Sequence, residues 1–357
     1  MIVILLIVLV LGWFSVFRYR RRNMYKLAAA IPDVDERIPL LGIAHKFTGN
    51  TEEIMTVLQK HSYNSMKHNG LAKGWLGHVL YFTLLNPVDM EVVLKTCLEK
   101  DDLHRFMRVV IGYGGIFAPD LGSYKSKTFL DLLITLSGAE KGYTNIELRE
   151  EVLTLTVAGT DTSAVTIGFT LELLSKYPEI QEKVYKELCA VFGDSERPLV
   201  KEDLEKMKYL ERVVKESLRL FPPVPFIIRK VLEDITLPSG NILPAGSGVV
   251  VSIWGIHRDP KYWGPEAEYF DPDRFLPERF NVEHPCCYMP FSSGPRNCLG
   301  YQYAMISIKT SLSAILRRYK VVGEPEKGPV PQIRVKLDIM MKSVNGCQVA
   351  LERRPTK

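Results

Sequence analysis

Apolar and polar positions fall along the chain in blocks that predict a mainly α protein with small β-sheets. Met1 to Phe17 is an uncharged apolar run that stops at Arg18, Arg20, Arg21 and Arg22. Its length is at the lower edge for crossing a bilayer core. The apolar and aromatic stretch His78–Leu84 reads as a strand, and Pro87 opens a short helix through Val93. Thr144 and Glu147 form a capping box before a long apolar segment, predicting a helix to Tyr177. Pro178 suits the first turn of a second helix, which Gly193 ends. A third helix is expected from Met207 to Leu220, stopping before Pro222 and Pro223. Ile235–Leu237, the turn Pro238–Asn241 and an apolar return predict strand, turn, strand, with a further strand at Val249–Ile253. The last long helix is placed at Leu299–Tyr319. Asn345-Gly346 predicts a hairpin between Lys336–Met341 and Cys347–Leu351.

Charge and composition sharpen this picture. The chain has 357 residues, 46% hydrophobic and 24% charged, which excludes a disordered chain and a polytopic membrane protein. Net charge is +5, and the arginine cluster at 18–22 supplies four of those charges. The remainder is near neutral, so a nucleic-acid surface is not indicated. Because the positive charges follow the apolar run, a cleaved signal peptide fits less well than a retained anchor with a cytoplasmic flank. The expected division is an anchor at 1–17, a basic, proline-containing linker at 18–39 and a single domain at 40–357. Six cysteines without a C-x-x-C pair predict reduced, mostly buried thiols. His284, Cys286 and Cys287 make only a thin metal pattern, and packing is the better reading there.

The strongest chemical signal is Phe291-Ser292-Ser293-Gly294-Pro295-Arg296-Asn297-Cys298-Leu299-Gly300. Gly294 permits a tight turn, and Gly300 lets a flat partner come close. The helix that follows points its N–H groups and positive potential at the sulfur, which favours a thiolate ligand. Arg296 suits an anionic group on the same partner. The string matches F-x-x-G-x-R-x-C-x-G at every fixed position. It thereby resembles the haem-binding loop of the cytochrome P-450 family, in its animal microsomal type close to the family-four group. The resemblance implies haem b with Cys298 as the axial thiolate, and a cytochrome P-450 fold.

Further motifs occur in family order. Glu216-Ser217-Leu218-Arg219 resembles the E-x-x-R tetrad, which in the family forms a structural network with a later arginine. Arg274 in Phe270–Phe275 is the fuller match, and Arg279 has the same local form. Ala158-Gly159-Thr160-Asp161-Thr162 interrupts the long helix. Hydroxyls there can simply bond back to a carbonyl, a reading that fits Thr160 or Ser163. The resemblance instead gives Thr162 a place facing dioxygen and Asp161 a role relaying protons. Relatives in the family-four group often carry Glu where Ala158 stands, a residue that can esterify the haem, so Ala158 implies haem held without that bond. Pro223–Arg229 resembles the segment lining the substrate pocket, with Phe226 and Ile227 as walls and Arg229 meeting a haem propionate alongside Arg296. For these apolar residues, plain core packing is the competing reading.

The resemblance fails near 118–130, where several helices and a W-R-x-x-R segment are expected after His104-Arg105-Phe106. Roughly a hundred residues or more are absent from that block. The implied activity is a haem-thiolate monooxygenase inserting one oxygen atom from O2 into an apolar organic substrate, lipid-like or xenobiotic. Electrons would come from NADPH through a reductase, with cytochrome b5 as a further donor. The implied location is the endoplasmic reticulum membrane, with a cytosolic domain. The alternative is a shortened, catalytically inactive variant or an incomplete gene model.

Overall fold

A computed structural model describes residues 1–101, 129–137, 144–193, 195, 197–325, 328–329 and 332–355. Helix α1, Ile2–Arg20, leaves its apolar side chains largely exposed. Helix α2, Arg22–Ala29, buries Met24 and Ala28, and Ile31 and Val34 beyond it are also buried. The segment expected to be a linker therefore packs onto the rest of the molecule. Helix α3, Thr51–Met66, is capped by Asn50, whose side chain accepts from Glu52 and Glu53 N–H. Next come β1, Leu71–Leu76, and β2, Val79–Leu84, joined by the turn Gly77-His78. Helix α4 runs Pro87–Thr96 and α5 Phe129–Ser137.

The long helix α6, Asn145–Lys176, starts at the capping box: Thr144 Oγ1 accepts from Glu147 N–H, and Glu147 accepts from Thr144 N–H. Helices α7, Pro178–Phe192, α8, Lys201–Lys206, and α9, Lys208–Leu220, follow. Then come β3, Phe226–Lys230, the two-residue strands β4, Ile235–Thr236, and β5, Ile242–Leu243, and β6, Gly248–Ser252. Short helices α10, Ile253–Ile256, and α11, Pro260–Trp263, lead to α12, Tyr301–Arg318. The chain ends in β7, Tyr319–Val322, β8, Val335–Asp338, β9, Met340–Ser343, and β10, Ala350–Arg353.

Two cores organise these elements. One joins the second half of α6 to α7, α9 and α12 through residues such as Phe169, Leu174, Leu188, Val213 and Leu312. The other wraps the sheet β1-β2-β6-β3, using Phe82, Val249 and Val251 with Met90 and Leu94 of α4. In that sheet β2 and β6 are parallel and the outer pairings antiparallel. The hairpin expected around Asn345-Gly346 is not formed. The reversal occurs instead at Ile339 (φ +60), which pairs β8 with β9. Strand β10 finds its partner in β7, which leaves α12 already extended with an open edge. Asn345-Gly346 closes only a local turn, with Gly346 N–H donating to Ser343 O.

Residues 102–128 lie outside the described residues, so His104-Arg105-Phe106 and all but the last two residues of the region where the sequence pattern fails, 118–130, are not placed.

Candidate functional site

The site is assembled on α9, whose Glu216 and Arg219 are both fully buried. All five N–H groups of Arg219 are used. Nε and Nη2 meet Glu216 at 2.6 and 2.8 Å. Nη1 donates to His257 O and Ala267 O, both at 2.6 Å, and Nη2 to Tyr269 O at 3.1 Å. Glu216 also accepts from Asp271 N–H at 3.0 Å and pairs with Arg274 Nε at 3.5 Å. Arg274 continues to Trp263 O and Glu266 O at 2.8 and 2.9 Å. The other candidate, Arg279, sits nearer the surface on Asp271 at 2.8 Å. Of the two arginines, it is Arg274 that reaches the buried carboxylate.

His257 carries this network toward the cysteine loop. It is completely buried, and burial followed by the Arg219 charge pushes its pKa down to about 3, so the ring is neutral. Nε2 accepts from Met289 N–H at 3.0 Å, so the ring proton is on Nδ1 and is donated to Arg219 O at 3.1 Å. Met289 O then accepts from Ser292 N–H at 2.9 Å, and Phe291 O accepts from Cys298 N–H at 2.9 Å. The loop is thus fastened, through hydrogen bonds, to the end of α9. His257 carries no motif of its own, and sequence reasoning overlooked it.

Gly294 is left-handed at φ +78, and a Cβ there would lie 2.7 Å from Leu94 O. This glycine is required by both backbone shape and close approach to α4. Cys298 is exposed, just ahead of the α12 N-terminus. Gly300 has open space where a side chain would stand, as does Gly159 on α6. Helix α12 packs against α6. A cavity of about 690 Å³ borders Cys298, Phe291, Tyr301, Met305, Lys215 and Lys309. Asn297, next to Arg296, is among the residues lining it, whereas Arg229 and Arg296 are not.

That pair is the site's most telling electrostatic feature. Arg229 is buried on β3, and its Nε has no hydrogen-bond partner among the described residues. Burial first, and then the neighbouring Arg296 charge, lower the Arg229 pKa. Cys97 is also beside it, and burial pushes that thiol up and keeps it neutral. Two guanidiniums brought together around an unpartnered buried donor suit an anionic ligand. Along β3, alternation puts Ile227 on the buried face with Arg229, while Phe226 is half-buried on the other face. Ile227 belongs to the sheet core, and Phe226 packs against the helical core. The two residues expected to form one wall therefore look in opposite directions.

On α6, Ala158 is exposed and its carbonyl accepts from Thr162 Oγ1 at 2.6 Å. Thr166 and Thr170 repeat this bond to the preceding turn, at 2.9 and 2.7 Å. Asp161 pairs with Lys342 of β9 at 3.1 Å, a partner the sequence did not disclose. His284 is paired with Glu91 at 3.0 Å, and among the described residues there is no cluster of three metal-ligating side chains.

An exposed thiol at a helix start, an orphaned buried Arg229 donor beside Arg296, and open space over Gly300 fit a flat anionic group carrying a thiolate-binding iron. Comparison with known proteins agrees. The Cytochrome P450 family model matches residues 117–347. Cytochrome P450 4g15 of Drosophila melanogaster is 42% identical over 238 residues, covering 66% of this chain and 40% of that protein. Cytochrome P450 4V2 of Homo sapiens is 41% identical over 231 residues, covering 64% and 43%. A crystal structure of a cytochrome P450, CYP102L1, superposes with a TM-score of 0.57 at 28% identity, covering 66% of this chain and 52% of that one. The chain therefore spans well under two thirds of the length of these relatives. With the motif loop, its anchoring network and these likenesses in agreement, the chain belongs to the cytochrome P450 family.

Proposed function

We propose that the chain is a haem-thiolate monooxygenase acting on an apolar substrate, with Cys298 as the iron ligand. The observation that carries this reading is the exposed Cys298 at the start of α12, on a loop fastened through His257 to the buried Glu216–Arg219 pair. Arg229 and Arg296 would hold the propionates, Gly300 and Gly159 would leave room for the ring, and Phe291 and Gly294 would shape the loop. Bound haem would supply the redox chemistry of dioxygen activation. Thr162 Oγ1 spends its own proton on Ala158 O, which leaves its lone pairs to accept a proton or hydrogen bond. Asp161, held by Lys342, stands next in line to exchange protons with solvent. Residues 1–17 would anchor a single domain at 40–357 to the endoplasmic reticulum membrane. Electrons would arrive from NADPH through a reductase, with cytochrome b5 as a second donor.

A second reading is supported by exposure along the first half of α6. Ile146, Leu153 and the strip Ala158–Thr160 are exposed on a helix that is apolar over much of its length. On this reading the chain is an internally shortened, inactive variant. The test is turnover in isotopically labelled dioxygen, with reductase, NADPH and a panel of fatty acids. Label in product, lost in Cys298→Ala, supports the enzyme. Stoichiometric haem without labelled product supports the inactive variant.

A further inference from the structure

A second cavity, of about 260 Å³, lies between α3, the end of α9, α10 and β8. None of its described lining residues borders the cavity beside Cys298. Trp254, Phe221, Ile333 and Val335 give it buried apolar walls. Those walls are held from behind. Phe221 stacks on Phe169 at 4.5 Å, and Trp254 meets Tyr63 edge to face at 5.2 Å. Glu52 accepts from Arg334 Nε and Nη2, both at 2.7 Å, and this exposed bridge joins α3 to the start of β8.

One polar side chain on these walls is left unsatisfied. Arg258 is 4% exposed, and its Nη1 has no hydrogen-bond partner among the described residues. Its Nε donates to Glu268 Oε2 at 3.0 Å, while Glu268 Oε1 accepts from Tyr63 OH at 2.6 Å. Glu268 therefore spends one oxygen on each neighbour. The guanidinium lies over the Trp254 ring at 4.3 Å, against an aromatic wall. Burial lowers the Arg258 pKa, and the Glu268 charge opposes that shift. A buried donor left unmade is costly, more so on a charged group, and an acceptor brought in from outside recovers that loss.

The charges around the cavity select the acceptor. Arg258 is balanced by Glu268, and Arg334 by Glu52. A carboxylate would add a negative charge beside two acids, whereas a neutral carbonyl oxygen adds none. Size narrows the rest. A dry cavity of about 150 Å³ holds benzene, so this larger one takes an aromatic ring with a short polar arm. We propose that the cavity binds a neutral aromatic amide or ketone, its ring against Trp254 and Phe221 and its carbonyl oxygen accepting from Arg258. Arg258 follows His257, and Phe221 closes the helix that carries Arg219. An occupant would therefore brace the elements that support the cysteine loop.

The test titrates 4-fluorobenzamide, 4-fluorobenzoate and 4-fluorotoluene into the detergent-solubilised full chain and follows fluorine line broadening, with empty micelles as the blank. The expected result is saturable binding of the amide, about tenfold or more tighter than that of the acid or the toluene. Thr56→Phe fills the mouth from an exposed position on α3 and should abolish saturable binding. Arg258→Met should weaken the amide about tenfold or more and leave the toluene unchanged. Should that variant fail to fold, Thr56→Phe still decides. The amide should also lower deuterium uptake of residues 252–258 in the unaltered chain and not in Thr56→Phe. Absence of saturable amide binding, or binding unchanged in Thr56→Phe, overturns the proposal. Acid or toluene binding as tight as the amide overturns the carbonyl contact with Arg258, and with it the ligand class.

Discussion

Removing the charge of Glu216 is the most informative single perturbation. In Glu216→Gln the shape is retained, but the buried Arg219 guanidinium and the part-buried Arg274 guanidinium lose their counter-charge. Arg219 keeps its three carbonyl bonds, and Arg274 keeps two. Breaking a buried pair from one side costs about 3–5 kcal/mol. Those retained carbonyl bonds place the substitution toward the lower end, about 3 kcal/mol. Arg219→Met should cost more, because it strands the carboxylate and also leaves the carbonyls of His257, Ala267 and Tyr269 without that donor, at about 1–3 kcal/mol for each buried group. For the same reason, Glu216→Met combined with Arg219→Met should not recover stability, although many buried ion pairs can be replaced by apolar groups. Urea unfolding of the detergent-solubilised chain reads these differences. A Glu216→Gln loss below about 1 kcal/mol, or a stable double variant, would refute the assignment of this network as the support of the cysteine loop.

Other substitutions separate site from scaffold. Arg229→Leu should change apo-protein stability by under about 1 kcal/mol, or raise it, because it removes a buried charge facing Arg296. Haem titration of the same variant should show affinity falling about 10–100-fold, the size seen when partners outside the metal's direct ligands are removed. Gly294→Ala should cost about 2 kcal/mol or more in urea unfolding, since it combines left-handed strain with collision against the Leu94 carbonyl. Protonation of His257 gives a pH signature. Its folded pKa of about 3 lies below the usual value near 6.5, so the unfolded chain binds more protons between them. Stability from this group is complete above pH 6.5 and declines toward pH 3, by on the order of 4 kcal/mol. Urea unfolding across that range should flatten in His257→Gln, which also loses about 2 kcal/mol at neutral pH by stranding Met289 N–H.

Local chemistry was legible wherever one segment held both the signal and its answer. Thr144 and Glu147 cap each other within one turn, and Pro178 and Gly193 bracket α7, so those boundaries followed from short spacing. The motif loop was readable because Gly294, Arg296, Cys298 and Gly300 each answer a separate local need. What escaped detection depended on distant partners. His257 looked like any histidine until the fold placed it between Arg219 O and Met289 N–H. Likewise, Lys342 reaches Asp161 only because β9 lies on α6. The expected C-terminal hairpin failed because Asn-Gly sets a turn but does not select a strand's partner, and β7 offered β10 an open edge. Phe226 and Ile227 were grouped by adjacency in sequence, whereas the strand's alternation separates them.

The central claim is that Cys298 ligates haem iron through its thiolate. Its most direct measurement is the difference spectrum of the purified full chain, haem-loaded, reduced and exposed to carbon monoxide, with Cys298→Ala alongside. Near-stoichiometric haem with the long-wavelength band of a thiolate-ligated carbonyl complex, absent in Cys298→Ala, is the predicted result. A spectrum without that band, or one unchanged by Cys298→Ala, would contradict the account.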